Sequence, residues 1–151
     1  MRPRNSTALA TAALIIAAFV CSTGLGLAAD RGIINPTGTW KIATLNAAPK
    51  AKGPERTLKL KLEGGKLTGT IDDRSEINGK VKMFEWPIKD TKLKGNDISF
   101  TVTHAPVYGD GPDSTTVYEG KITGEAMKGT AETEWNGNTF KRDFEAKRVK
   151  K

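Results

Sequence analysis

Leu58-Lys59-Leu60-Lys61-Leu62-Glu63, then Gly64-Gly65, then Lys66-Leu67-Thr68-Gly69-Thr70-Ile71: this stretch decides how the rest of the chain is read. Leucine recurs at every second position up to the glycine pair, with charged residues between. Leu67, Gly69 and Ile71 resume the alternation beyond it. A period of two, apolar on one face and charged on the other, describes a strand with one buried and one wet side. Two glycines between two such runs make a tight hairpin.

The unit recurs downstream. Leu93-Lys94-Gly95-Asn96 leads into Ile98, Phe100 and Val102. Tyr118, Gly120 and Ile122 run into Gly124-Glu125, and Met127, Gly129, Ala131, Thr133 and Trp135 return. Asn136-Gly137 is the strongest hairpin signal, because both central residues of a type I′ turn need positive φ. Phe140 and Phe144 follow, and no segment keeps helical spacing over three turns.

Strands are predicted near 38–45, 56–63, 66–72, 79–85, 88–94, 97–104, 115–123, 127–135 and 139–147. Consecutive tight turns make an all-β antiparallel up-and-down meander of about eight strands. Closure into a small barrel removes both free edges, and a flattened β-sandwich is the alternative. Pro49, Gly53 and Pro54 mark one loop, and the turn-rich residues 105–114 mark a second, placed at one barrel mouth.

The first 29 residues differ from the rest. Arg2 and Arg4 precede an apolar run from Leu9 to Val20, and small residues lead to Gly26-Leu27-Ala28-Ala29. That is the layout of a secretory signal peptide, with cleavage expected after Ala28 or Ala29. The apolar core is shorter than the roughly 20 residues of a membrane span, and no transmembrane segment is expected in the mature chain. Residues 30–151 then form a single exported domain, periplasmic or extracellular. Cys21, the single cysteine, falls inside the leader. Lipid attachment there is a minor alternative, disfavoured by the bulky Phe19-Val20 before it. Without Cys21 the mature chain has no thiol for a disulfide, a nucleophile or a thiolate metal site.

The whole chain carries a formal charge of +7, and the leader removes only two of its basic residues. The surplus gathers in Lys147, Arg148, Lys150 and Lys151, which read as a solvated terminus or as an attraction to anionic surfaces. No aromatic residue interleaves this tail, so no nucleic-acid partner is expected.

Thr37-Gly38-Thr39-Trp40-Lys41-Ile42, with Arg142 and Arg148 in the closing strand, resembles the calycin superfamily of lipocalins, fatty-acid-binding proteins and avidins. The resemblance implies a barrel floor plugged by the first-strand Trp40, with a last-strand arginine against it. Gly38, Trp40, Trp135, Arg142 and Arg148 are the expected floor residues. Leu67-Thr68-Gly69-Thr70 and the hairpin from Tyr118 to Trp135 are similar to avidin segments. Ile42 and Asn46, however, stand where avidins place a ligand-binding Asn and Ser, so the resemblance does not extend to biotin. A Gly-Thr-Trp opening and a final Ala146-Lys147-Arg148 are also similar to short secreted bacterial proteins.

No catalytic residue, cofactor or metal site is expected. His104, the one histidine, reads as a surface residue at a strand end, and no serine sits in a Gly-x-Ser-x-Gly turn. Asp110 and Asp113, like Asp72, Asp73 and Glu76, read as turn formers rather than calcium ligands. The candidate ligand-binding residues are the aromatics Trp86, Phe100, Tyr108 and Tyr118, since barrel pockets are lined by rings with a few polar groups. An eight-stranded barrel holds either packed side chains or one small ligand. The expected function is a non-catalytic binding module for a small apolar or amphipathic ligand. The alternative is a pocketless structural or interaction protein using its outer face or basic tail.

Overall fold

A computed structural model describes residues 34–45, 54–106 and 109–150. The leader with Cys21, and also Asn46, Tyr108 and Lys151, lie outside the described residues. Eight antiparallel strands follow one another in a closed barrel: β1 Gly38–Thr44, β2 Arg56–Glu63, β3 Lys66–Ile77, β4 Lys80–Lys94, β5 Asp97–His104, β6 Ser114–Thr123, β7 Ala126–Trp135 and β8 Asn138–Arg148. No helix among the described residues is long and apolar enough to cross a membrane.

Turn chemistry sets the register. Asn136 and Gly137 both have positive φ, 48° and 75°, and put Trp135 opposite Asn138. This is the requirement of a type I′ turn, whose twist matches the flanking strands. The two ends of the meander then meet: β1 pairs with β8, with Trp40 opposite Arg148 and Ile42 opposite Ala146. The seam leaves neither terminal strand of the meander unpaired, so the two edges of an open sheet are joined there. The closed barrel, rather than the flattened sandwich, is therefore the fold.

Two expected strands, 79–85 and 88–94, are one. β4 runs through Pro87, which sits opposite Thr70 of β3, while pairing with β5 begins only at Ile88. Proline is tolerated there because that part of β4 has a partner on one side alone. A bulge between Lys89 and Lys92, with Asp90 at φ 48°, bends the strand beyond it. β3 also extends to Ile77, past the predicted 72, so Asp72, Asp73 and Glu76 are strand residues rather than turn formers.

The inward face fills the lower half of the barrel. Trp40, Ile42, Leu58, Ile71, Phe100, Val102, Tyr118, Ile122, Met127 and Phe144 are each at most 2% exposed. Burial of each such side chain is worth about 1.5–3 kcal/mol. Small residues let the wall close tightly. Gly120 and Gly129 face each other across β6 and β7, and a Cβ on Gly129 would lie 2.0 Å from the Glu119 carbonyl oxygen. The Phe144 ring covers the gap, 2.9 Å from where a Gly120 Cβ would stand.

The floor is built by the two ends of the sheet. Trp40 is fully buried, and its Nε1 donates to the Pro36 carbonyl at 2.9 Å. Arg148 lies over the indole, donates to the carbonyls of Thr37 and, at 2.9 Å, Asn35, and holds Nε 3.2 Å from Glu125 in the β6–β7 turn. The Nε contact is ionic and lacks the alignment of a hydrogen bond. Gly38, at φ 144°, passes beneath the guanidinium, where a Cβ would come within 3.1 Å of Nη1.

Candidate functional site

The opposite end of the barrel is a cup of about 470 Å³. That size falls within the roughly 300–1,000 Å³ typical of small-molecule sites. Its base is Tyr118, on β6, which stacks on Phe100 at 4.9 Å between ring centroids and meets Phe144 edge-on at 5.5 Å. Below Tyr118 the barrel is solid, and above it the inward positions become polar.

The alternation of each strand delivers these polar groups. Arg56 shares the inner face of β2 with Leu58 and Leu60, and Asp73 shares that of β3 with Ile71. Arg56 Nε stands 3.3 Å from Asp73 Oδ1, an ion pair in which the N–H is not aimed at the oxygen. Arg56 Nη1 makes a long 3.5 Å contact to the Tyr118 hydroxyl, whose own proton has no acceptor in that bond. Thr116 and Thr133 share one hydroxyl hydrogen bond at 2.9 Å across β6 and β7. A second hydroxyl proton of that pair is left for the cup.

Burial pushes the Tyr118 phenol above its ordinary range, against the opposing pull of Arg56. Burial, reinforced by the Arg56 cation and partly offset by Asp73, draws His104 below the usual imidazole range. His104 is therefore neutral at pH 7. It is half-buried and lines the cup, which corrects its reading as a surface residue, because strand parity turns it inward at the mouth.

The aromatic candidates separate. Tyr118 lines the cup. Phe100 lies beneath it, fully buried, and belongs to the packed half. Trp86, opposite the inward Ile71 and packed against the core, stacks on Phe84 at 5.9 Å and meets His104 edge-on at 5.6 Å without lining the cup. Trp86 Nε1 and His104 Nε2 are both buried with no hydrogen-bond partner among the described residues.

Trp135 and Arg142, expected at the floor, stand at the mouth instead. Both point inward by parity, but Trp135 ends β7 at the open rim and is 49% exposed, and Arg142 lies only two residue pairs closer to the floor than Thr133. Of the five floor residues, Gly38, Trp40 and Arg148 come together. Ala105, Pro106, Gly111 and Pro112 of the β5–β6 connection also border the cup, at the mouth where that loop was placed.

Arg56 and Asp73 were missed in the sequence. The signal was available, since Arg56-x-Leu58-x-Leu60 and Ile71-x-Asp73 keep strict period two. Among the described residues no three His, Cys, Asp or Glu side chains gather into a metal-binding group. No protein-family model matches the chain, and comparisons with curated proteins and with solved structures give no match. The eight-stranded up-and-down closed barrel is consistent with a calycin-like architecture at the level of fold.

Proposed function

We propose that this chain is an exported, non-catalytic binding module of calycin type, whose cup takes a small amphipathic ligand in the periplasm or outside the cell. The observation that carries the reading is the division of the barrel into a solid half and a cup of about 470 Å³ lined by rings and polar groups. A pocketless interaction protein has no use for inward-facing polar groups at one end, since burying them incompletely satisfied costs stability. The charged leader with its Gly26-x-Ala28 site supports export. The Trp40–Arg148 floor supports the calycin relationship.

Native mass spectrometry of the protein secreted through its own leader tests this. The expected result is a chain beginning at Ala29 or Asp30 that carries a small adduct lost on denaturation. Ala131→Leu, which fills the cup beside Tyr118, should release the adduct while the barrel stays folded. A bare mass from several lipid-rich and metabolite-rich extracts would overturn the binding module.

A further inference from the structure

The charges that line the cup do not balance. Arg56 and Asp73 form a pair, and His104 beside them is uncharged at neutral pH. Arg142 remains. It lines the cup and forms no hydrogen bond or ion pair with any described residue. The neighbours it does have are small or already engaged: Ala131 is directly opposite on β7, and Tyr118 lies one strand further on. The remaining polar atoms are biased toward donation. The Tyr118 hydroxyl and one of the Thr116–Thr133 hydroxyls each have a proton without a fixed acceptor.

Above Arg142 the lining changes character. Phe140, two residues nearer the rim on the same face of β8, is 47% exposed, and Trp135 is diagonal to it on β7. Neither ring stacks on another aromatic among the described residues. Two large rings that face into a cup and remain half-exposed are an uncovered apolar surface of the kind that marks a ligand site. Register therefore orders the chemistry along β7 and β8: the exposed, unpartnered Arg142 is level with Ala131 and Tyr118, and the two aromatic faces lie nearer the rim.

We propose that the ligand is a small monoanion with a flat apolar body, its carboxylate held by Arg142 and the Tyr118 hydroxyl and its body laid against Trp135 and Phe140. This rests on the reading of the cup as a binding site and adds the chemical class of the occupant. A guanidinium presents paired N–H donors that match the two oxygens of a carboxylate. The single uncompensated positive charge matches one negative charge.

Three acids, benzoate, 2-naphthoate and indole-3-acetate, are each titrated against the corresponding neutral amide in phosphate-free buffer. Binding is followed through the indole N–H signals of the three tryptophans in a 15N-labelled sample. At least one acid should bind and shift the Trp135 signal, and should bind roughly tenfold to a hundredfold more tightly than its amide, the range for a charge-assisted hydrogen bond. Arg142→Gln should bring acid and amide to the same affinity. Because Arg142 has no protein partner, this variant keeps the wild-type spectrum elsewhere. Trp135→Ala should weaken acid and amide alike. Equal affinity of acid and amide in the wild-type protein would overturn the monoanion while leaving the cup as a site. Absence of binding by all six compounds would overturn the proposed class, and a denaturable adduct in native mass spectrometry would then still sustain the binding module.

Discussion

The guanidinium of Arg148 lies over the indole of Trp40, its Cζ 4.4 Å from the ring centroid, and so ties the last strand of the barrel to the first. The two residues are also register partners across the β1–β8 seam. Each holds a separate piece of the chain that enters β1: Trp40 binds the Pro36 carbonyl, and Arg148 those of Thr37 and Asn35.

Arg148→Ala should therefore destabilise the barrel by about 2–4 kcal/mol, since it removes a partly desolvated cation–π contact and strips two carbonyls of charged donors. Arg148→Lys keeps the charge but not the fork, and should recover less than half of the loss. Trp40→Phe loses the indole donor and should cost about 1–3 kcal/mol. In urea unfolding the double variant should fall short of the sum of the single ones. Strict additivity would show that the ring and the cation act independently.

Gly129 and Gly137 offer a contrast between crowding and backbone conformation. A methyl at Gly129 would collide with the Glu119 carbonyl oxygen at 2.0 Å, whereas Gly137 has open space around it and φ 75°. Gly129→Ala should cost about 3 kcal/mol or more, the upper range for overpacking. Gly137→Ala should cost about 1 kcal/mol, from the left-handed conformation alone. Denaturant midpoints of the two variants measured side by side check the order. A Gly129→Ala barrel as stable as wild type would mean that β6 and β7 can separate without loss.

His104 should make the barrel sensitive to mild acid. Its folded imidazole titrates below the ordinary value of 6.5, so the unfolded chain takes up the proton first. Its contribution to stability is then constant above neutrality and declines as pH falls below 6.5, until the folded imidazole itself is protonated. The groups facing it are the Arg56 cation and the Asp73 carboxylate, and Trp86 packs against its ring. The gap in urea midpoint between about pH 7.5 and about pH 5 should narrow in His104→Gln. An unchanged gap would assign the acid sensitivity to carboxylates elsewhere.

Tyr118→Phe separates packing from recognition. The ring keeps its stacking on Phe100 and its edge contact with Phe144, and only a long hydrogen bond from Arg56 is lost. Stability should change by less than about 1 kcal/mol. Affinity for whichever acid binds should fall by roughly threefold to tenfold, as expected for one neutral donor. Equal affinity in the variant would remove the phenol from the site.

The fold was legible because period-two alternation and two-residue turns are local properties, and the chain keeps both almost throughout. The seam was legible through one tryptophan and one arginine at opposite ends of the sequence. The cup was harder to read. Alternation tells which residues share a face, but an inward residue is buried only where the barrel is roofed. Trp135 obeys the pattern and still emerges half-exposed, because it stands next to a turn at the rim. Arg56 opens the predicted strand 56–63 directly after a proline loop, and only its parity with Leu58 tells that it points inside. The merging of two predicted strands into β4 depended on tertiary context as well, since Pro87 interrupts a strand only where both sides are paired.

Because β1 is completed by β8, the barrel cannot close until its last strand is in place. A chain without β8 leaves β1 with an open edge and Trp40 without its cation, and the pairing that spans the most sequence is the one that closes the barrel. Pairing across so long a separation in sequence slows folding, because the loop must be closed before the contact repays it. The position of Arg148 at the end of the last strand then makes it a late lock: the residue that fixes the floor takes its place over Trp40 only once β8 has paired with β1.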